Sequence, residues 1–305
     1  MVFNSILLLV SFIIPVLCLF MWPVTTREIL KDLRLLRILH YIALALLGSV
    51  LYFSGSRNLF TGLQQVLVFI LLIAALLYAA VFAIVSNNIA DLEADKISNT
   101  NRPLVKGTVQ QHTYLIAGIF CLVYSALLSL LVHAAMFYCI ILISTGYYIY
   151  SCRPFRLKRI PFIAKLLIGL NSLVITICGF VLAGGQVADF PLVWVIFIML
   201  PLSLAANFVD LKDTTGDGQT GVQTLPVILG QTRAIQLIAF FTACTYIMAA
   251  AIIHILWVYP LCGLMASIHI ALLYRKPYNE KPVFFIYISA LFGLNIILLL
   301  NKYLL

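Results

Sequence analysis

Two short polar stretches lie between long apolar runs of this sequence, one from Asn87 to Asp95 and the other from Asn207 to Asp217. They hold six of the chain's ten acidic residues. The two stretches are versions of one another, since Asn-x-x-Asp-Leu occurs at residues 88–92 and again at residues 207–211. Carboxylates surrounded by lipid-compatible sequence are costly unless they bind a cation or face water, so their clustering predicts a functional site.

The spacing within each stretch is suited to holding a divalent cation. Asp91 and Asp95 are four residues apart, which on a helix places both carboxylates on one face, and Asn87 extends that face. Asp213 and Asp217 repeat the interval in the second stretch. Oxygen ligands without neighbouring cysteine or histidine select Mg²⁺ or Mn²⁺ over zinc or copper. Because Mg²⁺ is usually held by one or two carboxylates together with phosphate oxygens, the pair of stretches predicts a diphosphate held between them.

Basic residues lie in the loops where they could neutralise such a diphosphate. For any single one, the excess of Lys and Arg in the cytoplasmic loops of membrane proteins is the simpler explanation. As a group beside six acids, they favour an anion site. They are Arg102, Lys106, Arg153, Arg156, Lys158, Arg159 and Lys212.

The composition predicts a polytopic membrane protein. Hydrophobic residues make up 64% of the chain, charged residues 10%, and the mean hydropathy is +1.11. Soluble domains are roughly half apolar and a quarter charged. The net charge of +9 comes from residues scattered in short loops rather than gathered on one face, which argues against nucleic acid as a partner. The seven cysteines show no Cys-x-x-Cys spacing and predict neither disulfides nor a zinc site.

Ten apolar runs have about the length needed to cross a bilayer, which is roughly 20 residues. They are continuous rather than alternating, and only helices and closed barrels satisfy their backbone in lipid, so the predicted class is an all-α polytopic bundle. The predicted spans are 3–21, 38–54, 63–85, 113–131, 134–150, 163–183, 190–208, 234–253, 256–273 and 283–301.

The basic residues predict the orientation of these spans. With the N-terminus outside, 17 of the 19 Lys and Arg residues fall in inner loops, leaving Arg57 and Lys302 on the outer side. Both carboxylate stretches then face the cytoplasm at a cell inner or plasma membrane. The segment from Thr25 to His40 fits an amphipathic helix at the cytoplasmic interface. We interpret it as an anchor, with the edge of a lipid-facing site as the alternative.

Three linked motifs, taken together, resemble those of the UbiA superfamily of intramembrane prenyltransferases over roughly residues 34–305. They are Asn87-x-x-x-Asp91-x-x-x-Asp95 with Asn101-Arg102-Pro103-Leu104-x-x-Gly107, then Tyr150-Ser151-x-x-Pro154-x-x-Leu157-Lys158, then Asp210-x-x-Asp213-x-x-Gly216-Asp217-x-x-x-Gly221-x-x-Thr224-Leu225-Pro226. The resemblance implies a nine-helix bundle around a central cavity, formed here by residues 23–305 with related halves near 38–150 and 163–301. Residues 1–22 are then an additional, accessory transmembrane helix.

The resemblance also implies roles for individual residues. Two Mg²⁺ ions, with Mn²⁺ as a substitute, bind at Asn87, Asp91 and Asp95 and at Asp213 and Asp217. Asp91, Asp95, Asp213 and Asp217 are also expected to be catalytic, together with Lys158 and with Tyr150 near the reacting carbon. The expected diphosphate-binding residues are Asn87, Arg102, Lys158, Asn207, Asp210 and Lys212.

The implied activity is Mg²⁺-dependent transfer of a polyprenyl group from its diphosphate to an acceptor within the membrane. The ring faces of Tyr147, Tyr148 and Tyr150 would stabilise the allylic cation. The second motif is closer to the homogentisate, chlorophyll and geranylgeranylglyceryl phosphate branches than to haem O synthase. The acceptor therefore stays open between an aromatic compound of the quinone or chlorophyll type and a lipid of the glyceryl phosphate type. Arg37-Ile38 stands where the first core helix of the family often begins with an Arg-Pro or Lys-Pro step, at the acceptor end of the pocket.

Two alternative functions remain. A cyclase with the same fold would act on the prenyl diphosphate alone and need no acceptor. A secondary transporter also has internal repeats and intramembrane acids, but such acids lie near the bilayer midplane. Here they lie at the cytoplasmic ends of the predicted spans, which favours the enzyme.

Overall fold

Apolar helices dominate the part of the chain that the computed structural model describes, residues 1–55, 62–160 and 163–304. No strand occurs within these residues, which confirms the all-α class. In chain order the helices are α1 (Val2–Met21), α2 (Pro23–Asp32), α3 (Leu35–Gly55), α4 (Leu63–Ala90), α5 (Leu92–Ser98), α6 (Pro103–Lys106), α7 (Gln111–Val132), α8 (Ala134–Ser151), α9 (Ile163–Leu182), α10 (Leu192–Phe197), α11 (Ser203–Ala205), α12 (Thr214–Gln219), α13 (Leu225–Leu229), α14 (Gln231–Ile253), α15 (Val258–Tyr274) and α16 (Glu280–Leu304).

Each of the ten predicted spans coincides with a helical segment. Nine of these segments, counted over the described residues, are long and apolar enough to cross a membrane. The remaining one, α15, is apolar but has only 17 residues. The chain is thus an integral membrane protein. Arg57, which the charge count leaves on the outer side, lies outside the described residues.

The bundle centre is formed where α3 and α9 approach each other closely. A Cβ added at Gly48 would lie 1.8 Å from the Thr176 carbonyl oxygen, and one added at Gly179 would lie 2.0 Å from that of Ala45. Ser49 Oγ donates a 3.0 Å hydrogen bond to the Gly179 carbonyl. Small residues of this kind allow two backbones to meet in a membrane bundle. These contacts join the first helices of the two predicted halves.

The seventh span is broken as it nears the second carboxylate stretch. After α10 the chain forms a π-helical turn, Ile198–Leu202, followed by α11 and a 3₁₀ turn, Ala206–Asp210. Pro201 lies inside the π turn. Proline lacks the N–H that would continue an α-helical ladder, which accounts for the irregular turn. The break leads the chain into the loop that carries Asp213 and Asp217.

Helix α1 lies at the edge of the bundle, because only 11% of its most apolar window is buried. Two polar contacts fix it against α4 and α7. Ser11 Oγ is 2.8 Å from Tyr124 Oη, and Tyr78 Oη donates a 2.8 Å hydrogen bond to the Ser11 carbonyl. Its peripheral position agrees with the accessory role predicted for residues 1–22, which stays a prediction.

The predicted amphipathic helix over residues 25–40 is wrong in its extent. Helix α2 ends at Asp32, Leu33 is extended, and the residues from Leu35 onward belong to the first core span. The Asp32 carboxylate accepts hydrogen bonds from Asn88 Nδ2 and Tyr114 Oη. These tertiary contacts hold the end of α2 against α4 and α7, so the chain turns there.

Candidate active site

One cavity brings most of the predicted site residues together at the ends of α4 and α8 and the loops that follow α4, α8 and α11. Its volume is about 200 Å³. Nine of the eleven residues predicted from the sequence line it: Asn87, Asp91, Asp95, Arg102, Tyr150, Lys158, Asp210, Asp213 and Asp217. The two carboxylate stretches therefore face a common space.

The first stretch keeps the helical register that its spacing predicts. Helix α4 ends at Ala90, yet Asp91 N donates to the Asn87 carbonyl at 2.9 Å and Asp95 N donates to the Asp91 carbonyl at 2.8 Å. These i to i−4 bonds carry the ladder from α4 into α5, so the three side chains line the same cavity. Asn87 Oδ1 also accepts a 2.8 Å hydrogen bond from Ser151 Oγ at the end of α8.

Asp91 is held by two cations from the loop after α8. Arg156 Nη2 donates to Asp91 Oδ1 at 3.1 Å, and Lys158 Nζ contacts both carboxylate oxygens. Lys158 is only 9% exposed. Burial lowers the pKa of Lys158, and the adjacent Asp91 carboxylate opposes that change. The first carboxylate of the stretch is thus neutralised by the protein's own side chains.

Asp95 is held by residues of its own loop. Asn99 Nδ2 donates to Asp95 Oδ1 at 3.0 Å, and Arg102 Nε lies 3.3 Å from Asp95 Oδ2. Burial raises the pKa of Asp95, and the Arg102 guanidinium opposes the rise. Arg102 Nη1 is buried without a hydrogen-bond partner among the described residues. A buried donor without an acceptor is costly, so this atom is suited to a substrate oxygen.

The second stretch carries less compensating charge. Lys165 Nζ lies 2.6 Å from Asp210 Oδ2, but neither Asp213 nor Asp217 forms an ion pair with another described residue. Burial, followed by repulsion from Asp210 and Asp213, raises the pKa of Asp217 to about 7. Burial also raises the pKa of Asp213. This half of the cavity has an excess of carboxylate that a bound cation would stabilise.

The residues fit a divalent cation that shares its ligands with a substrate. Within the described chain, no three histidine, cysteine, aspartate or glutamate side chains form a metal-binding group by themselves. Asp213 and Asp217 nevertheless present carboxylates without counter-ions, and Asp95 Oδ2 accepts no hydrogen bond within the described chain. One or two carboxylates per ion, completed by phosphate oxygens, are the usual surroundings of Mg²⁺ in such sites.

Three side chains named in the sequence analysis lie apart from this cavity. Asn207 is buried and donates a 2.7 Å hydrogen bond from Nδ2 to the Leu204 carbonyl. Lys212 pairs with Glu280 at the start of α16. Tyr148 is 44% exposed and absent from the lining, in contrast to the other two tyrosines of α8.

Sequence reasoning missed several lining residues. Arg34, Arg37, His40, Lys165 and Tyr287 all line the cavity. The first three belong to the segment 25–40 interpreted as an interfacial anchor, and their place in the cavity lining is closer to the alternative interpretation, the edge of a site, which stays a prediction. Tyr287 Oη lies 3.1 Å from His40 Nδ1, which joins α16 to α3.

An apolar cavity of about 270 Å³ adjoins the site. It is enclosed mainly by α14, α15 and α16, and Tyr287 lines both cavities. Phe208 lines the active-site cavity, and its ring centroid lies 5.7 Å from that of Tyr287 and 5.9 Å from that of His269, which lines the apolar cavity. An apolar chain with a charged head would match this pair of spaces.

Comparison with known proteins identifies a family and several relatives. The sequence profile of the UbiA prenyltransferase family matches residues 41–296. A digeranylgeranylglyceryl phosphate synthase from Thermococcus gammatolerans is 29% identical over 162 residues, which cover 53% of this chain and 56% of that protein. The chain therefore matches about half the length of this curated relative.

Two solved structures share the fold. A UbiA homologue from Archaeoglobus fulgidus bound to DMAPP and Mg²⁺ superposes with a TM-score of 0.64 at 19% identity, covering 88% of this chain and 99% of that one. The apo structure of a UbiA homologue from Aeropyrum pernix K1 gives a TM-score of 0.68 at 19% identity, covering 89% and 98%.

Proposed function

Because the chain belongs to the UbiA prenyltransferase family, we propose that it transfers a polyprenyl group from a polyprenyl diphosphate to a lipid acceptor in the membrane. One observation carries this proposal: both carboxylate stretches and buried cations line the same cavity. An apolar cavity adjoins it and could hold the prenyl chain. The names of the relatives support a lipid acceptor of the glyceryl phosphate type. The domain that performs the reaction is residues 23–305.

Divalent cations would be held at the two carboxylate stretches. Asn87, Asp91 and Asp95 are the proposed ligands at one, and Asp213 and Asp217 at the other. Mg²⁺, for which Mn²⁺ can substitute, would there neutralise the charge that develops on the diphosphate as it leaves. The Mg²⁺ bound in the structure of the A. fulgidus homologue supports this proposal.

The chain's own cations would bind the diphosphate. Arg102 offers a buried guanidinium nitrogen with no partner within the described chain. Lys158 and Arg156 offer two further cations, and in this structure both contact Asp91. Charge-assisted hydrogen bonds of this kind are stronger than neutral ones and strengthen further in a site that excludes water. We therefore expect Lys158 to shift from Asp91 toward the diphosphate when the donor binds.

The aromatic and apolar walls would protect the reacting carbon. The bond between the allylic carbon and the diphosphate oxygen breaks, and its electron pair leaves with the diphosphate. The acceptor oxygen or carbon then bonds to that allylic carbon and loses its proton to the departing diphosphate. Tyr147 and Tyr150 line the cavity and would offer ring faces to the cationic carbon, while Tyr287 borders the proposed chain cavity. Excluding water prevents hydrolysis of the donor.

The charge distribution supports an active site on the cytoplasmic side, with the N-terminus outside. The basic residues of the site lie in loops that the charge count assigns to the same side of the membrane as the two carboxylate stretches. Labelling of single introduced cysteines by a membrane-impermeant reagent, in intact cells against inverted vesicles, measures this orientation directly.

The decisive experiment measures products from the purified chain in lipid nanodiscs. With Mg²⁺, prenyl diphosphates of several lengths and a panel of phosphorylated lipids and aromatic acceptors, we expect a prenylated phospholipid in mass spectrometry. Asp91→Asn and Asp217→Asn should reduce its rate by about 100-fold or more, in the range of lost charge stabilisation at a transition state. Asp189→Asn, in an exposed connection, is the matched control.

Three results would contradict the proposal. Wild-type rates in both variants would show that these two carboxylates take no part in the reaction. A prenylated aromatic product without any prenylated lipid would show that the acceptor is aromatic. Cyclic products formed from the donor alone would favour a cyclase.

A further inference from the structure

The apolar cavity between α14, α15 and α16 contains a small group of polar side chains that the proposed reaction does not use. Thr242, Tyr246 and His269 line this cavity and are buried. We call these three side chains the polar trio. The described residues that line the cavity include no aspartate, glutamate, lysine or arginine. The polar trio can therefore offer a ligand hydrogen bonds, but no ion pair.

Two atoms of the polar trio are without hydrogen-bond partners. Tyr246 Oη lies 3.3 Å from His269 Nδ1, so these two atoms have each other as partners. Thr242 Oγ1 and His269 Nε2 are buried, and neither has a partner among the described residues, although both side chains are only 1% exposed. A buried polar atom without a partner destabilises the protein, so a ligand that satisfies both atoms would be bound favourably.

The cavity has a polar end and an apolar end. His269 lies at the end that adjoins the active site, where its ring centroid is 5.9 Å from that of Phe208. A short turn joins α14 to α15, so Ile253 and Leu261 lie near that turn, at the opposite end. From Thr242 to Ile253, α14 rises about 16 Å. Leu261 is 39% exposed, so the apolar end reaches the lipid-facing surface.

The hydrogen-bonding pattern selects a hydroxyl group. The Thr242 hydroxyl can donate or accept, and His269 Nε2 donates in one tautomer of the ring and accepts in the other. A ligand hydroxyl satisfies both atoms with either tautomer, whereas a carbonyl does so only when Nε2 carries the proton. A charged group would have no counter-charge in this lining and would be costly to bury in a membrane.

The size of the cavity favours a hydrocarbon body over water alone. One water needs about 30 Å³, whereas the cavity measures about 270 Å³. A water bound to the polar trio would leave most of the apolar lining without contacts. A Cβ added at Gly293, which lines the cavity, would meet no atom within 4 Å, so there is open space for a ligand. A hydrocarbon chain would supply the missing dispersion contacts.

We propose that this cavity binds a neutral long-chain alcohol, with its hydroxyl held by Thr242 and His269 and its chain directed toward Ile253. Such a molecule resembles the proposed prenyl donor without its diphosphate. Binding of the alcohol goes beyond the transfer reaction and does not depend on it. If the donor's chain occupies the same cavity, the alcohol and a long donor exclude one another.

Binding of farnesol to the full chain in nanodiscs, without Mg²⁺ or donor, tests the proposal. Bound tritiated farnesol is measured while unlabelled farnesol, farnesyl methyl ether or farnesene is added as competitor. We expect farnesol to compete at least about 10-fold better than farnesene, because the hydrocarbon forms no hydrogen bond. The ether, which can only accept, should lie between them. Equal competition by farnesol and farnesene would overturn the proposal.

Two threonines of α14 provide a matched pair of variants. Thr242→Val removes the unpartnered hydroxyl at nearly constant shape and should weaken farnesol by about 10-fold. Thr245→Val is the control, because Thr245 lines the same cavity but its Oγ1 already donates a 2.8 Å hydrogen bond to the Phe241 carbonyl. It should bind farnesol as wild type does. Wild-type affinity in Thr242→Val, or an equal loss in both variants, would contradict the assignment.

Thermal unfolding separates a ligand-binding role from a structural one. A hydroxyl without a partner destabilises the empty protein, so Thr242→Val should leave the Tm of the empty protein unchanged or raise it. Added farnesol should raise the Tm of wild type more than that of the variant. A lower Tm in the empty Thr242→Val variant would show that the hydroxyl stabilises the fold, and the proposal would then be wrong.

Kinetics locate the bound alcohol relative to the active site. Farnesol should raise the KM for a long polyprenyl diphosphate and leave that for DMAPP unchanged, because the short chain of DMAPP does not extend past Tyr287, which borders both cavities. An equal rise for DMAPP would place farnesol in the active-site cavity and overturn the proposal. If no acceptor is prenylated with any donor, the proposed function fails, while the farnesol titration still decides whether the alcohol site exists.

Discussion

Replacing Asp217 by Asn should stabilise the metal-free protein, and increasingly so as the pH rises. Burial and the neighbouring carboxylates raise the pKa of Asp217 to about 7, against 3.8 for a free side chain. In the folded state the carboxyl therefore stays protonated at pH values where the unfolded chain ionises. Its contribution to stability is fully present below about pH 4 and is lost as the pH rises through about 7.

The size of the effect follows from these two values. Each pKa unit corresponds to about 1.36 kcal/mol, so the difference between the folded and unfolded pKa of Asp217 lowers the free energy of unfolding by at most about 4 kcal/mol at pH 8. Asp217 is partly exposed, so solvent screening brings the expected value to about 2 kcal/mol. In a chain of this length that corresponds to a rise in Tm on the order of 4 °C.

Thermal unfolding in nanodiscs with EDTA, followed by intrinsic fluorescence, measures the difference at pH 5 and pH 8. We expect the Asn variant to exceed wild type at pH 8, with a smaller margin at pH 5. Added Mg²⁺ should raise the wild-type Tm at pH 8 and leave the variant nearly unchanged, because a ligand stabilises only the state that binds it. Asp189→Asn should show none of these changes. A variant less stable than wild type at pH 8, or a margin that shrinks as pH rises, would refute the reasoning.

The apolar cavity beside the site should set the length of prenyl chain that is accepted. A Cβ added at Gly293, which lines it, would meet no atom within 4 Å. Gly293→Phe should therefore fold and shift the products toward shorter chains in mass spectrometry, while the exposed Gly263→Phe keeps the wild-type length. Asp32→Ala leaves the donors of Asn88 and Tyr114 without their acceptor, at a cost of about 1–3 kcal/mol. It should lower the Tm and raise the KM for Mg²⁺, and Asp32→Asn should restore part of both; an unchanged KM would limit Asp32 to a structural role.

The membrane spans and the two carboxylate stretches could be predicted because each depends on local sequence. A continuous apolar run of bilayer length must be a helix in lipid, whatever it packs against. The four-residue interval between Asp91 and Asp95 places both side chains on one face, as predicted, because i to i−4 hydrogen bonding continues past the end of α4. The interval between Asp213 and Asp217 likewise falls in the first turn of α12.

The features that sequence missed depend on contacts between distant segments. Arg34 lines the cavity because Asp32 is held by residues of α4 and α7, which ends α2 early and directs the chain into α3. Asn207 matches its counterpart in the first stretch, but its amide binds the Leu204 carbonyl where the seventh span is broken. Amide side chains can bind nearby backbone groups in this way, and the repeated Asn-x-x-Asp-Leu sequence alone does not predict that Asn207 would do so.

The two halves of the site also differ in how their charge is balanced, and the difference bears on the order of events. Lys158 and Arg156 neutralise Asp91, whereas Asp213 and Asp217 form no ion pair with any described residue. The same two cations are proposed to bind the diphosphate, so they cannot serve Asp91 and the donor fully at once. Binding of the donor would therefore release Asp91 as a ligand, while Asp213 and Asp217 need no such exchange. On this reasoning the second stretch needs only to release the proton of Asp217 to bind a cation, and the first becomes a complete half-site only with the donor in place.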